Sequence, residues 1–327
     1  MTIGQSARDA LESAEAALRS GEDFLASPWP TGFDLLDKHL GGGISGGSLV
    51  LLGGPQGLGK TTFALQIARN VVAAGGHCVY VCYEHGEREL LERLIGMEAG
   101  LAGGPEAMPL SRIRERLRER ADTPWGLSDR LSSDAYVAHA LASIKAYGDR
   151  LVLARASGSK TGIDEIRHMI AACPTPPLVV VDYLQKVAVP DAPSLEDDRI
   201  TVIVESLKDL AMDLSVAVLA IVAADKAGVG AGRTRLHHLR GSTALAYEAD
   251  VALLLNDKYD IVARHHLVFG TSDIERFRKW VICSIEKNRS GLDSVDMQFR
   301  KVLQHGHFDP RGEPVAEQLI DDRIYRE

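Results

Sequence analysis

The chain has 327 residues, 45% of them hydrophobic and 25% charged, with a net charge of −8. This is the make-up of a globular protein with a sizeable core, in one large domain or two small ones, and it excludes a largely disordered chain. The negative balance also excludes a polycation that coats nucleic acid, while leaving room for a local basic loop or for such loops gathered in a channel.

Residues 5–19 read as a helix, with Ala7, Ala10, Leu11, Ala14, Ala17 and Leu18 at helical spacing. Ser20-Gly21 closes it and Ser27-Pro28-Trp29-Pro30 makes an extended linker, so residues 1–30 form one unit and 31–327 another. An amphipathic helix on a linker needs a partner surface, either its own domain or a neighbouring subunit. From Thr31 onward strands and helices alternate. Strands are expected at 48–52, 77–83, 151–154, 178–182, 216–223, 250–255, 280–285 and 294–299, and helices at 61–74, 88–99, 162–172 and 200–214. Apolar runs separated by helices predict an α/β fold, a mostly parallel central sheet with helices on both faces. Residues 100–129 fit less well. Arg112, Arg114, Arg116, Arg118 and Arg120 alternate there with glutamates, as in a solvated, ion-paired helix or, alternatively, a phosphate-binding surface.

No run approaches ~18 uninterrupted apolar residues, so no membrane span is expected. Residues 1–20 lack the basic and apolar regions of a signal peptide, which points to the cytoplasm. Cys78, Cys82, Cys173 and Cys283 form no C-x-x-C pair and read as buried free thiols. The pairs His237-His238 and His265-His266 are poor metal candidates, because adjacent side chains seldom converge on one ion.

The strongest signal is Gly54-Pro55-Gln56-Gly57-Leu58-Gly59-Lys60-Thr61, followed by Thr62, which fits G-x-x-x-x-G-K-[ST] between a strand and a helix. Its glycines let backbone N–H groups curl around an anion, and the helix after it presents its positive end to the same phosphates. Lys60 is expected on the β- and γ-phosphates of ATP and the Thr61 hydroxyl on Mg²⁺. A Gly-rich turn with a chance lysine is the bland alternative, and the flanking elements weigh against it. Leu178-Val179-Val180-Val181-Asp182 ends an apolar strand in a carboxylate at the carboxyl edge of the sheet, a second expected Mg²⁺ group. Tyr183 follows it, so the residue that orients the attacking water must come from elsewhere. Glu84 closes the strand before it in sequence. If that strand neighbours the phosphate-loop strand, its carboxylate stands over the γ-phosphate. Otherwise it is a surface glutamate opening a loop.

These segments together resemble the C-terminal ATPase domain of DnaB-type replicative helicases, over residues 29–309. Thr31-Gly32-Phe33-Asp34-Leu35-Leu36-Asp37 resembles the family's lead-in motif, and Tyr83-Glu84-His85 stands where the family carries its catalytic glutamate. Asp182-Tyr183-Leu184-Gln185 resembles its strand-end signature. Leu239-Arg240-Gly241-Ser242 through Glu248-Ala249-Asp250-Val251 resembles the stretch after its second DNA-facing loop. Glu286-Lys287-Asn288-Arg289-Ser290-Gly291 resembles the motif that gives a lysine and an arginine finger to the ATP of the next subunit. Read alone, Lys287 and Arg289 would be ordinary surface charges. In that role they would stabilise charge spreading over the γ-phosphate oxygens.

The resemblance implies a RecA-like P-loop NTPase using ATP and Mg²⁺, self-association into a ring of hexameric type, and single-stranded DNA in its channel. It places loops 188–199 and 226–240 at that channel, with Lys226, Arg233, Arg235 and Arg240 as DNA contacts. The acidic Asp191, Glu196, Asp197 and Asp198 do not suit the first loop to that role. The sequence departs from the family in three respects. Only the helix at 5–19 stands for the segment before the ATPase domain, the polar sensor after the strand 216–222 is Ala223, and the nearby Asn-Arg pair is Asp225-Lys226. Two functions therefore stand side by side: a helicase or DNA-stimulated ATPase, and a RecA-, RadA- or KaiC-like regulatory ATPase that unwinds nothing.

Overall fold

The structure is a computed structural model that describes residues 4–21, 27–119, 126–131, 134–225, 228, 231–267 and 271–321. The first helix, α1 (Ala7–Ser20), is capped by the Ser6 hydroxyl, which accepts from the Asp9 N–H at 3.1 Å, and closes on Gly21. None of its residues is buried, and Leu11 and Leu18 are 62% and 54% exposed. It does not bury its apolar face on its own domain.

The ATPase unit opens with α2 (Asp34–His39). Asp37 there accepts from Thr31 N (2.8 Å), Thr31 Oγ1 (2.6 Å) and Gly32 N (2.9 Å), which fixes the lead-in turn. Then follow β1 (Leu49–Gly53), α3 (Lys60–Ala73), β2 (Cys78–Cys82), α4 (Glu87–Gly103), α5 (Leu110–Arg118), α6 (Leu127–Leu131), α7 (Ala135–Tyr147), β3 (Leu151–Arg155), α8 (Ile163–Ala171), β4 (Leu178–Asp182), α9 (Glu196–Leu214), β5 (Ala217–Ile221), β6 (Val251–Asp257), β7 (Trp280–Asn288), β8 (Val295–Val302), β9 (His307–Phe308) and β10 (Glu313–Pro314). A short helix, Ser242–Glu248, precedes β6.

Six parallel strands lie in the order β3-β2-β4-β5-β1-β6, and antiparallel β7, β8 and β10 extend the sheet beyond β6. The expected mostly parallel, helix-covered sheet is therefore present. Strands β1, β2, β4 and β5 are buried throughout, because both faces are covered, and their residues divide by alternation between two cores. Val50, Leu52, Tyr80 and Val180 face a core with Phe63, Ile67 and Leu94. Leu49, Leu51, Val79 and Val181 face the other with Ile166, Ile203 and Leu207.

Three differences from the sequence reading have physical causes. Helix α9 starts at Glu196, four residues before the expected start, because Glu196, Asp197 and Asp198 occupy its first turn, where carboxylates favour the helix dipole. Glu196, Asp197 and Asp198 thus belong to the helix, while Asp191 stays in the loop 188–199. Between β2 and β3 the chain inserts four helices, α4–α7, with a small core of their own around Ile95, Ala99, Ile113, Val137 and Ala140. The almost wholly apolar or small run of α7 carries no sharp helical stripe, so its pattern does not announce a helix. Finally, Cys78, Cys82 and Cys283 are buried free thiols as expected, whereas Cys173 is partly exposed.

The C-terminal hairpin returns to the phosphate loop. The buried Gln66 side chain donates to Phe308 O and accepts from Phe308 N, each at 2.8 Å, fastening β9 to α3. His305 and His307 are buried in the same hairpin, and neither Nδ1 has a partner. Burial, and then the charge of His305, push His307 down to about 4 against the opposing pull of Asp309. The unfolded chain takes up this proton below pH ~6.5, while the folded chain resists it until about pH 4, so stability held at neutral pH erodes between those values. The linkage is worth up to about 3 kcal/mol. We expect His307→Gln to lose about 2 kcal/mol less stability than the parent between pH 7 and pH 4.5 in urea unfolding. Parallel pH profiles for the two proteins would contradict this account.

Candidate nucleotide site

The carboxyl ends of the parallel strands meet a cavity of about 630 Å³. The residues at 54–61 leave β1 and turn into α3. Gly54 has φ 141°, and a Cβ there would sit 2.4 Å from Leu255 O. Gly59 has φ 94° and opens α3 against the Phe308 ring. The loop therefore requires glycine at both turns.

Lys60 Nζ donates to Gly54 O and Pro55 O, both at 2.8 Å, so the ammonium lies within the loop. Burial lowers its pKa, opposed by the charges of Asp182 and Glu84. Asp182 is 1% exposed and accepts from the Tyr80 hydroxyl at 3.0 Å. Burial raises its pKa, while hydrogen bonds from Thr61 and Tyr80 lower it. Cys82, with Sγ 3.9 Å from Asp182 Oδ2, is pushed up to about 11 by burial and then by that carboxylate. Glu84 is exposed and lines the cavity.

Gln56, Gly57, Gly59, Lys60, Thr61, Thr62, Glu84 and Asp182 thus share one cavity. Leu58 is buried beside it, and Gly54 and Pro55 hold Lys60 through their carbonyls. Strand β2, which leads to Glu84, is not the neighbour of β1, since β4 and β5 lie between them. Glu84 reaches the cavity because β2 pairs directly with β4, bringing Cys82 level with Asp182. The hydroxyl of Thr61 and the carboxylate of Asp182 are hard oxygen donors that suit Mg²⁺ with several retained waters, and the glycine turns leave room for a phosphate chain. The residues present fit both groups.

Lys287 and Arg289 lie elsewhere. Lys287 Nζ donates to Ala246 O (2.6 Å) and Tyr247 O (3.2 Å). Arg289 reaches Tyr247 O and sits 3.4 Å from Asp250 Oδ1. Both are at the foot of the sheet, where Val50, Val251 and Asn288 are in register.

The described arginines of the basic loop are paired with residues on other elements. Arg233 is 4% exposed and bonded to Ser284 and Asp296, which removes it from any DNA backbone and corrects the expectation that it tracks phosphates. Arg235 is held by Glu286 and Asp321, and Arg240 by Glu196. Lys226 lies outside the described residues, as does Arg120. Ala223 lines the cavity, and a polar group is close by. Gln185 Oε1 accepts from Ala223 N at 3.3 Å, and its Nε2 donates to Arg240 O at 3.4 Å. Sequence reasoning left Gln185 without a role of its own, although it falls within the strand-end signature. It also missed Arg93 and gave Arg114 only as one of a run that could bind phosphate, and both line the same cavity.

Comparison with known proteins agrees with this geometry. An AAA domain family model matches residues 32–229, more than half of the chain. The DNA repair protein RadA of Mycobacterium tuberculosis is 27% identical over 225 residues, 68% of this chain and 36% of that protein. The replicative DNA helicase DnaB of Treponema pallidum is 26% identical over 251 residues, 76% of this chain and 52% of that one. The chain therefore spans about a third to a half of the length of these relatives. A solved DnaB-like replicative helicase, described with its primase interactions, superposes with a TM-score of 0.69 at 21% identity, over 93% of this chain and 67% of the other. The chain accordingly belongs to the AAA domain family, with the RecA-like fold of DnaB-type ATPase domains.

Proposed function

We propose that the chain is an ATP hydrolase of the DnaB type, working as a cytoplasmic ring, of hexameric type, that is stimulated by single-stranded DNA. The observation that carries this reading is the division of labour across the sheet. Lys60, Thr61, Asp182 and Glu84 meet at the carboxyl ends of the strands, and Lys287 and Arg289 stand at the other end. From the register of Val50 to Gly54 is about 13 Å at ~3.3 Å per residue, too far for Arg289 to serve its own phosphate loop. An arginine finger at this position acts on a neighbour. In the site, Lys60 steadies the β- and γ-phosphates, Thr61 and Asp182 hold the cation, and Glu84 orients the attacking water. The Mg²⁺ ion supplies charge neutralisation across the phosphate oxygens.

A second reading, a regulatory ATPase without unwinding activity, is favoured by one observation. Arg233, Arg235 and Arg240 are already committed to carboxylates. We therefore expect single-stranded DNA to bind weakly and raise turnover only a few-fold. A non-hydrolysable ATP analogue should shift the solution mass to several chains. Measuring mass with the analogue and turnover against DNA concentration separates the readings. A monomer under all conditions removes the ring, and a complete indifference to DNA leaves the regulatory ATPase.

A further inference from the structure

The cavity extends beyond the phosphate loop, and its far wall belongs to the helical insertion. Arg93 of α4 and Arg114 of α5 both line it. Each guanidinium is held from behind. Arg93 Nη2 lies 3.4 Å from His85 Nε2, and His85 Nδ1 faces Glu89 at 3.4 Å. Arg114 donates its Nε to Glu92 at 3.1 Å. A guanidinium carries five N–H donors in a planar fork, and these contacts use few of them. Arg93 Nη2 has His85 Nε2 as its partner, so the remaining terminal N–H groups of that fork are left for an acceptor in the cavity that Arg93 lines. Around the cavity Lys60, Arg93 and Arg114 balance Glu84, Asp182 and the Glu92 behind Arg114, and the positive end of α3 tips the sum to the cationic side. A ligand rich in anionic oxygens answers that imbalance, and a neutral one does not.

We propose that Arg93 and Arg114 form a second anion grip for the phosphate chain of the nucleotide, acting within the same chain and carried by the α4–α7 insertion. The proposal rests on the cavity being the ATP site. Helices α4 and α5 share the apolar cluster of Ile95, Ala99 and Ile113, and the Glu92–Arg114 pair stitches them together. Nucleotide gripped by both arginines therefore braces the insertion against the sheet, and its release slackens that joint.

The test is equilibrium binding of mant-ATP with Mg²⁺ to the full chain, with melting temperature read with and without nucleotide. Arg93→Gln and Arg114→Gln are each expected to bind about tenfold more weakly, the loss of one or two charge-assisted hydrogen bonds. Arg114→Lys, which keeps the charge and loses the fork, should fall between. Arg114 is partly exposed, so Arg114→Gln should melt like the parent without nucleotide and gain less from it. Parent-like affinity in both glutamine variants, with weak binding in Lys60→Ala, overturns the grip and leaves the phosphate loop standing. Parent-like affinity in Lys60→Ala as well shows that the cavity is not the nucleotide site, and both readings fall.

Discussion

Lys60→Ala is expected to reduce ATP turnover by at least about 10²–10³-fold while the chain remains folded. The ammonium is partly desolvated, and its position among the loop carbonyls, Asp182 and Glu84 suits the task proposed for it, answering the charge of a phosphate chain. Alanine fits the helical start of α3, where good helix formers are tolerated. Turnover at saturating ATP, together with a circular dichroism melt, provides the check. An unchanged rate in folded protein would remove residues 54–61 as the phosphate site.

Glu84→Gln should separate binding from hydrolysis. The glutamine keeps the shape and a hydrogen-bonding oxygen but cannot take a proton, so a loss of about 10²–10⁴-fold in the chemical step is expected with near-parental affinity. The exposed position of Glu84 at the cavity, opposite the buried Asp182, is what distinguishes the two carboxylates. One sits where water can reach it and the other where a cation would replace water. Single-turnover hydrolysis of prebound ATP reports the step directly. Parental single-turnover rates would mean that another group aligns the water, and the assignment of Glu84 would be withdrawn.

The parts of this site that depend on contiguous residues were legible in the sequence. The phosphate loop needs its glycines, lysine and threonine within one turn, and strand β4 ends at Asp182 as its apolar run implies. What depends on distant partners was not. Arg233 reads as an exposed cation in a Gly-rich loop, yet its partner Asp296 is far along the chain on β8, and pairing buries it. The run Arg112–Arg118 does contain locally solvated pairs, Arg112 with Glu115 and Arg116 with Glu119. Arg114, between them, turns instead to Glu92 on another helix and to the cavity. Alternating charge gives no hint of which member faces inward, because that is set by the packing of α5 on α4. Strand order is hidden for a similar reason. Nothing local to β2 states that β4 and β5 separate it from β1.

On the role proposed for Arg289, its placement at one end of the sheet and that of Lys60 at the other would govern how copies join. A chain giving at its foot and receiving at its crown would have to associate head-to-tail, and a twofold pair using one patch twice would complete neither site. In an open string the terminal chain would lack a donor, so a pair would complete one site of its two. Only closure of the string would supply every site, which would make the circular form the state in which no copy is idle.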